Sequence, residues 1–208
     1  MEDSEINHFI NSYKLKGTIL ISQKNKLSPL SESDMREIDL CCTKVNKEFI
    51  EIGDAGEKNN LLVGRFMTDV EKPEIVKNLY SERILKILNQ EKVIKFIKKI
   101  LNINSECFLR RIQFNQISEN NFVGYHLDTD SNPDYVAASV IQLGSSFKGG
   151  KYRVYQKDGS YFDYTSTYGD LIISNCTYPH EVTKVISGNR KSLVFFVSKH
   201  FGSNKRKR

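Results

Sequence analysis

Apolar positions along the chain change their spacing near residue 105. Before it the spacing is helical. In "SESDMREIDLCCTKVNKEFIEIG", Ile38, Cys42, Val45, Phe49 and Ile52 recur at steps of four and three, which puts them on one helical face. Ser33 is the expected cap and Gly53 the expected stop. "KPEIVKNLYSERILKILN" predicts a helix starting at Pro73, with Val76, Leu79, Ile84 and Leu88 inward. "QEKVIKFIKKILN" predicts another, with Val93, Ile97, Ile100 and Leu101 on one side and Lys92, Lys95, Lys98 and Lys99 on the other. That lysine stripe reads as a solvated helix face rather than a nucleic-acid site. "GTILIS" and "LLVGRFM" interrupt the helices as expected strands.

Beyond residue 105 the spacing shortens to that of strands. "CFLRRIQF", "NFVGYHL", "YVAASVIQL", "KYRVYQ", "YFDYTS", "DLIIS", "HEVTKVI" and "KSLVFFVSKHF" are rich in Val, Ile, Tyr and Phe. "KGGK", "KDGS", "YGD" and "SGN" between them carry the glycine that turns favour. Eight strands so closely spaced predict an α+β protein built on a double-sheet barrel or jelly roll, with the helices covering one outer sheet face. The chain shows no internal repeat and no low-complexity linker. One domain over 1–208 is expected: mainly helical support in 1–104, the β core in 105–201 and a disordered basic tail in 202–208.

Composition narrows this picture. With 208 residues, 39% of them hydrophobic and 27% charged, the chain has the make-up of a soluble globular protein. No apolar run reaches the roughly 18 residues of a membrane span. The acidic, polar "MEDSEINHFINSYK" is not a secretory signal. The net charge is +6, and Lys205, Arg206, Lys207 and Arg208 supply four of those charges, so the body is nearly balanced. Such an end suits nucleic acid, an anionic membrane or a targeting receptor. The cysteines, Cys41, Cys42, Cys107 and Cys176, form no CxxC pair. This argues against a zinc module and for a reducing, cytoplasmic setting.

The candidate chemistry begins in "YHLDTDSNPDY". His126 and Asp128 stand two apart at a strand end, where side chains two apart share a face. His180 opens a later strand, and barrel closure is expected to bring it across. Two imidazoles and one carboxylate on one face of a metal leave positions open, the arrangement expected of non-haem Fe(II) oxygenases. HxD alone also arises in polar turns. Arg190 lies ten residues after His180, and an "SGN" hairpin would set it on the neighbouring strand, pointing inward. A buried guanidinium requires an anion, and Ser192 would face the same way. Asp130 and Asp134 read as loop caps and solvated charges. "TDSNPDY" has the place of a loop that closes over a site.

In order and spacing, His126-x-Asp128, "FKGGKYRVY", "YGDLIISN", "PHEV" and "GNRKSLVFFV" resemble the 2-oxoglutarate- and Fe(II)-dependent dioxygenases, in particular the prolyl-4-hydroxylase-like group. The resemblance covers roughly residues 105–201; the first hundred residues match no motif. It implies a double-stranded β-helix (cupin-like) fold, with His126, Asp128 and His180 as catalytic iron ligands. It also implies Arg190 on the distal carboxylate of 2-oxoglutarate, with Ser192 as a second donor. O2 is the implied cosubstrate and ascorbate an optional reductant. Several members carry a Tyr fourteen residues after the Asp on that carboxylate; this chain has Gln142 there, a candidate contact whose amide can still donate. Asp128 separates the chain from the related halogenases, which have a small residue there.

The implied activity is hydroxylation of a C–H bond in a protein side chain such as prolyl, a free amino acid or another small metabolite. 2-Oxoglutarate is decarboxylated to succinate and CO2. Tyr125, Arg111, Asn115 and Tyr135 are candidate substrate contacts, and only one of Arg110 and Arg111 should face inward. Two other readings stand beside this one. One is a nucleic-acid demethylase, whose branch carries a second Arg where this chain has Phe196. The other is a non-enzymic cupin-like binding protein.

Overall fold

The computed structural model describes residues 2–206. Its first half runs α1 (Glu2–Lys16), β1 (Thr18–Ile21), α2 (Glu32–Lys44), β2 (Glu48–Ile52), β3 (Lys58–Asp69), β4 (Pro73–Ile75), α3 (Leu79–Leu88) and α4 (Glu91–Leu101). The second half runs β5 (Phe108–Ser118), β6 (Val123–His126), a short 3-10 turn (Asp128–Asp130), β7 (Tyr135–Gln142), β8 (Phe147–Gly149), β9 (Tyr152–Tyr155), β10 (Tyr161–Tyr164), β11 (Leu171–Asn175), β12 (His180–Val182) and β13 (Val185–Ser198).

The described strands pair antiparallel throughout, in the order β1-β11-β7-β13-β5-β3-β6-β12-β9-β10. The first six form a major sheet and the last four a minor one. The two join where Asn59 of β3 meets Val123 of β6. On the other side, the Tyr164 hydroxyl of β10 donates to the Thr18 carbonyl of β1 at 3.0 Å. The result is a nearly closed jelly roll.

Alternation along the strands separates two cores. Leu193 and Phe195 of β13, Ile141 of β7 and Leu171 and Ile173 of β11 face the helices, against Met35, Ile38, Ile84, Leu88, Val93 and Ile97. Leu61, Val63, Ile117, Val140, Val154, Ile172 and Val182 fill the barrel interior. The helical layer over one outer sheet face is thus present.

Several local expectations are corrected. Helix α2 stops at Lys44 instead of Gly53, because Val45 turns to extended backbone and 48–52 pairs with β3. Phe49 and Ile52, which kept the helical spacing, are exposed on that edge strand. The cap is Ser31 rather than Ser33: Ser31 and Asp34 form a reciprocal capping box. Pro73 starts the strand β4, as its missing N–H and restricted neighbour permit, and α3 begins at Leu79 under an Asn78 cap. β8 was not expected. "SGN" makes no hairpin: β13 continues through Gly188, which has a φ of +78° and pairs with Phe147 of β8, just after a register shift between Val185 and Ser187. Helix α4 and its lysine face follow the expectation, with Lys92 and Lys95 paired to Asp34 and Glu91.

The tail expected to be disordered is held as far as it is described. The Asn204 side-chain amide donates to the carbonyls of Asp69 (2.7 Å) and Ser131 (3.2 Å), and Lys205 pairs with Asp134 at 3.1 Å. Lys207 and Arg208 lie outside the described residues. Below Asn204 is a buried ion pair. Arg110 donates to both carboxylate oxygens of Asp69 at 2.8 and 3.1 Å and to the His200 carbonyl at 2.8 Å. Asn132 adds a bond to Asp69 at 2.9 Å. "TDSNPDY" is therefore pinned through Asn132, not a loose cover.

Removing one partner of a buried pair strands the other charge. Asp69→Ala should therefore cost about 3–5 kcal/mol in urea unfolding, and Arg110→Met combined with Asp69→Leu should cost less than that single change. A second test concerns acid. Burial raises the Asp34 carboxyl, but hydrogen bonds from Lys92, Ser31 and Gln90 outweigh it and hold the group well below the usual carboxylate range. Such a group stabilises the fold above its unfolded pKa, and that contribution is lost as pH falls through the folded value. Asp34→Asn should be less stable than the parent near neutral pH and converge with it in strong acid.

Candidate active site

The ladder between β6 and β12 sets His126 directly opposite His180, with ring centroids 4.3 Å apart. His126 Nδ1 lies 2.7 Å from the Gly124 carbonyl and His180 Nδ1 lies 3.1 Å from that of Tyr178. In the neutral ring, donation there places the hydrogen on Nδ1 and leaves Nε2 as the free lone pair. Gly124 is needed where it stands: a Cβ would lie 2.6 Å from the Lys58 carbonyl oxygen of β3.

β6 ends at His126, and Asp128 opens the 3-10 turn beyond it. Its carboxylate still turns back, 3.5 Å from His126 Nε2 and 3.6 Å from His180 Nε2. One ligand atom from each residue falls within 4.8 Å of the others. Asp128 and His180 are buried, and Asp128 Oδ2 has no hydrogen-bond partner. Two inward imidazole lone pairs and a carboxylate with spare capacity fit a divalent transition metal, with room for further ligands.

The charges respond to this crowding. Burial lowers His126, but the hydrogen bond and charge of Asp128 prevail and lift it to about 9. His180 is pulled below its ordinary value, chiefly by burial. Burial raises Asp128, yet the two histidines hold it below the carboxylate norm. Metal ligation requires neutral imidazole and ionised carboxylate, so His126 must shed its proton to bind.

The triad opens into a cavity between the sheets. Arg190 and Ser192 of β13 line it, and Arg190 Nη1 reaches Ser192 Oγ at 3.3 Å. Arg190 is 2% exposed, and its Nε and Nη2 have no acceptor. Burial draws its pKa down to about 10. A guanidinium buried with two idle donors fits the carboxylate of a ligand.

The structure brings together His126, Asp128, His180, Arg190, Ser192, Arg111 and Asn115 around this cavity. β12 and β13 are not neighbours, so Arg190 does not sit beside the His180 strand as expected; β13 crosses to the major sheet and faces the triad from there. Gln142 does not line the cavity. Its amide donates to the carbonyls of Gly144 and Lys191 and accepts from Ser166, which uses up its donors. Tyr135 is buried behind the wall, stacked on Phe196 at 4.6 Å, and Tyr125 points outward against Tyr155. Arg111 faces inward while Arg110 is buried on the opposite side.

Sequence reasoning missed Tyr152, stacked on His180 with centroids 5.2 Å apart, and Asp54, Glu57 and Arg65 of the first half. Arg65 keeps the period of Leu61 and Val63, which could have flagged its face. The helices contribute no described residue to the lining, but β2 and β3 do.

The model of the 2OG-Fe(II) oxygenase superfamily matches residues 112–198. A search of curated proteins returned no significant match. Among solved structures, the chain is similar to an oxidoreductase of the 2OG-Fe(II) oxygenase family from Burkholderia pseudomallei. The two are 32% identical over 97% of this chain and 94% of that one, with a TM-score of 0.89. A prolyl hydroxylase from Trichoplax adhaerens, in complex with a hypoxia inducible factor peptide fragment, shares the fold at 14% identity (TM-score 0.66, 94% and 90% covered). So does the epimerase SnoN, in complex with Fe3+, alpha ketoglutarate and nogalamycin RO, at 8% identity (TM-score 0.69, 94% and 84% covered). Near-complete coverage by the Burkholderia protein, with the triad assembled in the barrel, establishes that this chain belongs to the 2OG-Fe(II) oxygenase family.

Proposed function

We propose that His126, Asp128 and His180 hold Fe(II), and that Arg190 and Ser192 bind the distal carboxylate of 2-oxoglutarate. The observation that carries this reading is Arg190, a buried cation with two idle donors in the cavity the triad opens into. When bound, iron with 2-oxoglutarate and O2 supplies the oxidant for a C–H bond, and the keto acid leaves as succinate and CO2. The chain's own part is to orient the imidazoles through Gly124 and Tyr178, to anchor the keto acid at its far end and to wall the site from water. Tyr152 packs its ring on His180 and limits how that imidazole can rotate.

The reaction is hydroxylation of a small molecule or peptide. Phe196 stands six residues after Arg190 and stacks on Tyr135, an apolar wall where the demethylase branch carries its second Arg; this favours hydroxylation over nucleic-acid repair. No helix among the described residues is long and apolar enough to cross a membrane. The free thiols Cys41, Cys42, Cys107 and Cys176 support a reducing, cytoplasmic setting.

Anaerobic titration with Fe(II) and 2-oxoglutarate should produce the visible metal-to-ligand charge-transfer band of a chelated keto acid; a parent protein without it would overturn the assignment. His180→Ala should abolish the band. Arg190→Ala should retain iron binding yet weaken 2-oxoglutarate by at least about 30-fold, since a desolvated carboxylate would lose its partner.

A further inference from the structure

The cavity holds more charge than iron and 2-oxoglutarate require. Arg111 of β5 and Arg65 of β3 both face it. Arg111 is only 8% exposed, and its guanidinium lies 5.6 Å over Phe196 and 5.9 Å over Tyr135, so the aromatic rings fix its place. Arg65 is half-buried on the same wall, and burial together with the charge of Arg111 lowers its pKa. Two such cations favour an anion beside them.

Their present partners sit on the open flank. Arg111 pairs with Asp54 at 2.7 Å, and the Asp54 side chain is 42% exposed. Arg65 pairs with Glu48, which is more exposed still. Asp54 lies in the β2–β3 connection with Glu57, and both line the cavity. A neutral peptide segment bound here would desolvate this wall and give it nothing in return. A zwitterion exchanges partners instead: its carboxylate replaces Asp54 on Arg111, and its ammonium takes the released Asp54. Arg111 and Asp54 each keep a partner, and Glu48, more than half exposed, stays hydrated. Gln113, opposite Arg65 in the ladder, and its partner Asn115 continue the polar wall inward.

We propose that Arg111 and Arg65 bind the carboxylate of the primary substrate, a free amino acid whose ammonium group is received by Asp54 beside Glu57. The inference rests on the iron and 2-oxoglutarate reading above. It selects a free amino acid over a residue within a peptide.

The holoenzyme, loaded with Fe(II) and 2-oxoglutarate, is assayed for succinate release with the standard set of free L-amino acids. Their C-terminal amides, their des-amino acids and prolyl peptides form the comparison arms. At least one free amino acid should raise succinate release above the substrate-free rate, and its amide should not. Arg111→Gln should raise the KM for that amino acid by about 100-fold with a smaller effect on kcat, since it removes a charge partner. Arg111→Lys should recover part of the loss. Asp54→Asn should narrow the preference for the amino acid over its des-amino acid. Arg65→Gln, on the more exposed flank, reads the same carboxylate contact if Arg111→Gln does not fold.

Stimulation by amides equal to that by free acids, by peptides alone, or by no amino acid overturns the inference. If the charge-transfer band forms in the parent, those results leave the metal and keto-acid reading standing. If the band does not form, both fall.

Discussion

His126 and His180 face each other across the antiparallel ladder of β6 and β12, and a slip of one residue would turn one ring out of the barrel. The apolar interior guards against that slip. Val182 lies two residues from His180 on the same face and packs with Val154 and Val123 in the interior. The register shifts between the His180–His126 and Val182–Val123 pairs, which lets Val123 and His126, three residues apart, both point inward. Gly124 matters for the same reason. It lets β6 pass close to the Lys58 carbonyl while its own carbonyl orients His126. Packing and ligand geometry are one constraint here.

The second constraint comes from the opposite sheet. Arg190 and Ser192 belong to β13, between β5 and β7, whereas the histidines belong to the minor sheet. A ligand that engages both must span the interior and be anionic at its far end. 2-Oxoglutarate meets both conditions. On the proposed reading, the family's cosubstrate would supply the anion that the buried charge of Arg190 lacks. Gln142 supports the wall from outside the cavity lining: its amide ties β7 to the Lys191 carbonyl next to Ser192.

Much of this was legible in the sequence, and what was not has physical reasons. The clustering of His126, Asp128 and His180 and the inward placement of Arg190 could be anticipated because such chemistry would demand particular residue types, and strand alternation limits where they point. The α2 boundary was misread because 45, 49 and 52 continue a helical spacing by coincidence, and only pairing with β3 decides against it. The "SGN" hairpin failed because a glycine of positive φ can also sit within a continuing strand, as Gly188 does opposite Phe147. Gln142 had the right position by resemblance, but its hydrogen bonds depend on Gly144, Ser166 and Lys191, which no local pattern reveals. Arg65, Asp54 and Glu57 carry no motif at all, since the proposed substrate wall would need only charge and a face.

That difference separates two kinds of work within the chain. The proposed oxygen chemistry would draw on residues 126–192, where a metal would constrain the spacing. The charged wall draws on β2, β3 and their connection as well as on β5, where the barrel constrains only which side chains point in. The same first half also anchors the segment that follows Asp128: Asp69 of β3 holds Asn132, and through Arg110 and Asn204 it gathers the C-terminal segment over that turn. A change in β3 therefore reaches the site by two routes, through the wall it presents and through the turn it pins. The first hundred residues match no motif, yet they support the turn that carries a metal ligand and supply much of the surface a substrate would meet.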